Sequence, residues 1–189
     1  MARRTRTSTS RSEPSNQMWH VSPMPRTATM ALNEWTVLAV IVEKPRHGYD
    51  IAAELDRDSE IGRAWRLGRP LVYRAIDRLE EVGYVERRRT EPGDAAPPRT
   101  VYGATRKGRA ALKRWMHEPI ERLRDVRSAL LLKLVLIDRL GLDRAPLVDA
   151  QQAAFDEVFA SYADPDEHDL VGRWRHHLAQ ATNEFLDGL

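Results

Sequence analysis

The chain of 189 residues predicts a mainly α-helical fold with a small β element of two or three strands. Three observations carry that prediction. Apolar residues recur at i, i+3 and i+4 through most of the chain, which is the period of an amphipathic helix. Two runs, at 84–90 and 99–105, read instead as strands. Between them lies Glu91-Pro92-Gly93-Asp94-Ala95-Ala96-Pro97-Pro98, a loop too long for a tight turn. Finally, glycine or proline punctuates most of the junctions.

The elements follow in order. A helix over 31–43 places Leu32, Trp35, Leu38, Ala39 and Val42 on one face, and Pro45 biases Lys44 out of it. A turn at Arg46-His47-Gly48 leads to a helix that buries Ile51, Ala52 and Leu55. Between Ile61 and Leu67, Arg63, Trp65 and Leu67 alternate with Ala64 and Arg66, which suits a very short strand. Gly68 breaks the chain, and Pro70 suits the first turn of a helix, where its missing N–H costs nothing. That helix turns Val72, Ala75, Ile76, Leu79 and Val82 inward, leaves Arg69, Leu71, Tyr73, Arg74, Asp77 and Arg78 on other faces, and closes at Gly83.

After the hairpin, a helix from about 107 carries Ala111, Leu112, Trp115 and Met116 and breaks at Pro119. The next, over about 120–140, is apolar almost all round between Ala129 and Ile137. Such a helix is buried on more than one side, and a partner subunit is the expected second cover. Gly141 ends it. Asp143 caps a helix with Leu147, Val148, Ala154, Phe155, Val158, Phe159 and Tyr162. The last helix carries Leu170, Val171, Trp174, Leu178, Ala181 and Phe185 as a clean stripe.

Composition divides the chain into a basic tail over 1–28, expected to be disordered, a basic unit over 29–118 and an acidic helical unit over 119–189. Residues 1–30 carry a charge of +4, 31–119 carry +3, and 120–189 carry −5. A basic front half and an acidic rear half suggest a polyanion-binding part joined to something else. With no cysteine, disulfides and cysteine zinc sites are excluded. The longest apolar run falls short of the roughly 20 residues a membrane span needs. No secretory signal is visible. The expected location is cytoplasmic and nucleoid-associated.

Three helices followed by a basic hairpin form the pattern of a winged helix-turn-helix, here followed by a helical unit. The helix after Gly68 would enter the major groove of double-stranded DNA, with the hairpin beside it. Arg69, at the helix N-terminus, suits phosphate because backbone N–H groups attract the same anion. Tyr73 can donate to phosphate or pack on a thymine methyl; its other reading is a plug between two helices. Leu71 shares that exposed end. Arg74 and Arg78 lie four apart and reach either DNA or Asp77, Glu80 and Glu81. Tyr49 suits phosphate contact or core packing equally. Arg87, Arg88, Arg89 and Arg99 supply cations on the strands, where simple alternation places Arg87 and Arg89 on one face and Arg88 on the other.

Enzyme chemistry finds no support. His176 and His177 are adjacent and point about 100° apart on a helix, so they are not a chelating pair. Asp164-Pro165-Asp166-Glu167-His168-Asp169 reads as a solvated helix start rather than a metal site. There is no phosphate-cradling glycine pattern, no nucleophile elbow and no His-Glu-x-x-His, and no cofactor is expected.

Four segments in order resemble the PadR family of transcriptional regulators: Leu32-Asn33-Glu34 with Val37-Leu38; His47-Gly48-Tyr49-Asp50-Ile51; Val72 through Val85; and Tyr102-Gly103-Ala104-Thr105-Arg106-Lys107-Gly108-Arg109. The rear half is similar to the C-terminal helical domain of the longer members, with Arg127 and Leu131-Leu132-Lys133-Leu134 matching its central helix, and Trp174-Arg175 with Phe185-Leu186-Asp187 its last. The resemblance implies a homodimeric repressor, relieved by a small apolar or aromatic effector, with the helices over 119–189 as a helical dimerisation domain. Trp115, Met116, Phe155, Phe159 and Trp174 are the residues that would line an effector pocket; their other reading is core and dimer seam. Pro70 departs from the family, many of whose members carry a serine or threonine there. Two other functions stay open: a non-specific architectural DNA-binding protein, and a winged-helix protein-interaction module that never touches DNA.

Overall fold

In the computed structural model, α1 (Leu32–Glu43) lies at the centre of the front half. Val37, Leu38, Val40 and Ile41 are fully buried on it, and its C-cap Lys44 is extended ahead of Pro45. The structure describes residues 30–91, 99–166 and 168–189; the basic tail and the middle of the hairpin loop lie outside them. The expected turn at Arg46-His47 is a two-residue strand, β1 (Arg46–His47), which leads directly into α2 (Gly48–Glu54).

The segment expected to hold a short strand is a helix, α3 (Glu60–Ala64). Ser59 decides it. Its hydroxyl accepts from the Gly62 N–H at 2.8 Å, an N-cap that satisfies a donor helices otherwise leave open. Trp65 follows as an extended C-cap, and its indole N–H donates to Asn33 Oδ1 at 3.0 Å, anchoring the segment to α1.

Next comes α4 (Arg69–Glu81), with Pro70 in its first turn, and Val72, Ala75, Ile76 and Leu79 buried. Gly83, at φ 72°, ends it: the Tyr84 N–H donates to Leu79 O and the Gly83 N–H to Glu80 O. Only glycine takes that backbone without strain. Gly141 closes a later helix in the same way.

The sheet has three antiparallel strands in the order β1, β3, β2, where β2 is Val85–Glu91 and β3 is Arg99–Ala104. Thr105 joins it to α5 (Arg106–His117), accepting from the Gly108 N–H at 3.0 Å and donating to Gly83 O at 2.8 Å. The expected long helix over 120–140 is broken into a 3₁₀ turn (Leu123–Asp125), a π turn (Val126–Leu130) and α6 (Leu131–Arg139). Leu132, Leu134, Leu136 and Ile137 are buried within a single chain, since α3 and α5 pack on α6. The front half thus covers much of this segment within one chain, while Ala129, Leu131 and Val135 stay partly exposed.

Two long helices finish the chain, α7 (Ala145–Ser161) and α8 (Leu170–Asp187). Fully buried Gln151 pins α7 to the linker after α5. It accepts from the Ile120 N–H at 2.7 Å and donates to Ile120 O at 3.0 Å, as a neighbouring strand would. The helix α8 turns Ala179, Thr182 and Leu186 inward. Most of its apolar stripe faces outward: Leu170, Val171, Trp174 and Phe185 are exposed, Trp174 at 65%. One hydrophobic core runs through both halves.

An ion cluster also joins the halves. Glu43 and Glu54 each accept from two arginines: Arg46 at 2.7 and 2.9 Å, and Arg139 at 3.0 and 2.6 Å. Burial would push the Glu54 carboxyl up, but the two guanidiniums outweigh it and hold the group below the usual carboxylate range.

Candidate nucleic-acid interface

The exposed end of α4 is built jointly with α2. Its first turn holds no acidic residue, so the positive end of the helix is uncompensated. The Arg69 guanidinium lies over the Tyr49 ring at 4.7 Å from its centre, which links the first turns of the two helices. Tyr73 lies across Gly48: a Cβ there would come 2.7 Å from Tyr73 Cε1. Tyr73 therefore packs on α2, as its reading as a plug expects, and still remains 45% exposed. Leu71 and Arg74 are exposed beside it, and Tyr49 is exposed rather than core. Arg78 is paired with Glu81.

The strands depart from simple alternation. Arg87 pairs with Tyr102 and Arg89 with Val101, so one residue of β2 is extra and the strand bulges there. Residues paired across strands share a face. Arg87 thus shares the face of Tyr102, while Arg89 shares that of Val101 and Gly103. Arg88 lies over Gly103, where any Cβ would collide with it. The expected grouping is overturned: Arg88 and Arg89 share one face, and Arg87 takes the other.

Each of these arginines has a carboxylate. Arg87 forks onto Glu80 of α4, with Nε to Oε1 at 2.9 Å and Nη2 to Oε2 at 3.2 Å. That bond, and the carboxylate charge behind it, raises the Arg87 guanidinium above its ordinary value. Arg88 lies 3.2 Å from Glu86, and Arg89 Nε donates to Glu91 at 2.6 Å. Glu91 is also 2.9 Å from His47 Nε2; the Arg89 hydrogen bond, more than the histidine, lowers its carboxyl. Arg99 is exposed at the start of β3. Sequence reasoning missed Glu80 as the partner of Arg87, and Glu91 as the shared partner of Arg89 and His47. Only the seven-residue reach from Glu80 to Arg87 across a turn was open to inspection, and no periodicity marks it.

Within a single chain the residues expected to line an effector pocket do not share one cavity, although Phe155 and Phe159 meet edge to face at 5.5 Å. Trp115 stacks on Trp35 at 5.1 Å, and Met116 and Phe155 are core. Phe159 lines a cavity of about 360 Å³ with Tyr162, Ala163 and His176, whereas Trp174 lines a separate groove with Leu123, Val158 and Leu178. Sequence proximity on α7 and α8 could not separate them, because it leaves open which stripe each helix turns inward. Among the described residues, no group of three His, Asp or Glu is placed to hold a metal ion, and no helix is long and apolar enough to cross a membrane.

Three helices around a core, a recognition-type helix with an exposed aromatic and basic end, and an adjoining antiparallel sheet define a winged helix-turn-helix protein. Residues 37–114 match the transcriptional regulator PadR-like family. That match covers less than half of the chain, and the family it describes is one of transcriptional regulators. It is 32% identical over 95 residues to the probable transcriptional regulator Rv1176c of Mycobacterium tuberculosis, a match covering 50% of this chain and 49% of that one. The chain thus matches about half the length of this curated relative. Among solved structures it is similar to Bacillus subtilis PadR in complex with operator DNA, with 20% identity, a TM-score of 0.44, and coverage of 84% of this chain and 97% of the other. It is also similar to the same protein in complex with p-coumaric acid, with 19% identity, a TM-score of 0.41, and coverage of 84% and 96%.

Proposed function

We propose that the protein is a sequence-specific DNA-binding transcriptional regulator. One observation carries this reading. The acid-free N-terminal turn of α4 presents Arg69, Leu71, Tyr73 and Arg74 on a surface held rigid from behind by Gly48 and Tyr49. A rigid, cationic, partly aromatic helix end suits a major groove. Its backbone N–H groups favour phosphate, and Tyr73 and Leu71 offer contact to base edges. Arg88, Arg89 and Arg99 then serve as sequence-tolerant anchors.

The dimer reading is supported by the exposed stripe on α8. Val171, Trp174 and Phe185 stand in water on a single chain, and a second copy covering them gives two α4 helices for half-sites about one DNA turn apart. Repression relieved by a small apolar or aromatic effector follows from the family resemblance. Such a compound acts by binding one arrangement of the two heads better than the other.

A genome-wide footprint, beginning with the promoter beside the protein's own gene, tests the reading and yields the operator. Tyr73→Ala and Arg69→Ala should each weaken operator binding by about 1 kcal/mol or more. Unchanged binding in both variants rules out this placement of α4. A regulator binds its operator about a thousand-fold or more above random DNA, whereas equal affinity for both would mark an architectural protein.

A further inference from the structure

Three consecutive arginines on one strand invite a single role for all of them. The bulge in β2 separates them. Arg88 and Arg89 lie on the face of Gly103 and Val101, each beside a carboxylate of its own strand. Arg87 turns to α4, where both oxygens of Glu80 accept from it. Two parallel bonds between planar groups fix orientation as well as distance. Glu80 is the more firmly seated partner, 22% exposed against 65% for Arg87. Asp77, nearly one turn earlier on α4, adds a second negative charge toward the same guanidinium. The pair spans the reverse turn that carries the chain from α4 into β2, so it joins the two parts of the molecule that a duplex would meet.

We infer that Arg87 is a strut and not a DNA contact, and that Glu80 is a positioning residue that sets the angle of the wing against α4. The inference rests on the DNA-binding reading above and divides labour within it: Arg88 and Arg89 face phosphate, while Arg87 is held by the protein. Arg87 is held by two bonds to a carboxylate only 22% exposed and so releases no counterion when the complex forms, whereas Arg88 and Arg89 each meet a more exposed carboxylate, Glu86 at 53% and Glu91 at 40%, that leaves them free to turn to phosphate. Loss of Arg87 should alter affinity through geometry, without altering the dependence on salt.

The test uses the full chain and a fluorescein-labelled duplex carrying the strongest genomic footprint, titrated across salt concentrations. R87A and E80Q should each weaken binding about two- to five-fold, the scale of an exposed ion pair, with the salt slope unchanged. R88A or R89A should lower that slope by about one. The exchanged pair E80R/R87E should restore binding to within about twofold of the original. A slope loss of about one in R87A, or an exchanged pair that binds no better than R87E, overturns the inference. Amide exchange along Val85–Thr90 in the DNA-free protein reads the strut without a duplex. E80Q and R87A should each speed it, and the double variant should speed it no further. If the unaltered protein binds the duplex with no salt dependence, the DNA reading fails and exchange alone decides the strut. Unchanged exchange in either single variant then overturns it.

Discussion

Lys133 is a charged residue almost wholly removed from water. Its ammonium donates to Glu118 O at the end of α5 and lies 4.9 Å from the centre of the Trp115 ring. Burial, only partly offset by Glu118, pushes the amine from 10.5 down to about 8. The unfolded chain therefore holds this proton more tightly than the folded one. Between pH 8 and 10.5 the unfolded state binds more protons, so Lys133 makes folding stability rise with pH across that window and penalises it below. The difference in urea-unfolding free energy between the protein and its K133M variant, measured from pH 7 to 10, should shrink in favour of the lysine as pH rises. A difference that stays constant removes the burial argument. At the same scale, the exposed face of α4 was legible in the sequence, because Pro70 and Gly83 set where the helix begins and ends. The partners of Arg87, Arg88 and Arg89 were not. Alternation assumes an unbroken ladder, and this bulge sits opposite Tyr102, Val101 and Gly103 on another strand.

Among the elements, α3 and β1 show where local patterns mislead. Alternation at Arg63, Trp65 and Leu67 suggested a strand, but Ser59 and the Gly62 N–H form a cap that alternation does not weigh. A two-residue strand such as β1 has no period at all; only its pairing with Tyr102 and Val101 defines it. The stripe on α8 was read correctly as apolar, yet which side of the helix meets α7 depends on small residues, Ala179 and Thr182, that allow close approach. The consequence is a testable exposed surface. Trp174→Glu places a charge at the centre of the stripe without touching the chain's own core. Sedimentation equilibrium should show the proposed dimer weakened by about 2 kcal/mol or more, with the helical signal of the monomer unchanged. A mass that is insensitive to this substitution would move the interface elsewhere.

Across the whole molecule, the front and rear halves are one body more than the charge division of the sequence suggests. Composition placed a boundary near residue 118, but α6 packs on α3, and Arg139 reaches back to Glu43 and Glu54. Contacts of that sequence separation leave no local trace. Arg139→Gln leaves two carboxylates with one guanidinium between them. It should cost about 2 kcal/mol in denaturant unfolding, below the figure for a fully buried pair because the glutamates keep some access to water. Because Glu54 is held below its ordinary 4.5, its stabilising share is complete above that value and is lost as pH falls through the lowered one. Arg139→Gln should therefore flatten the acid limb of the stability profile, and an unaltered acid limb would mean the cluster is not what holds the halves together there.

The water-facing Trp174 has a last consequence, one of dosage. In the proposed dimer each α4 comes from a separate chain, so a paired site would be filled only after two chains have met. While most chains are still apart, occupancy climbs with the square of their concentration. A cell that doubles its supply of this protein then gains about a fourfold response at low occupancy. The gene's own expression level becomes part of the signal it transmits.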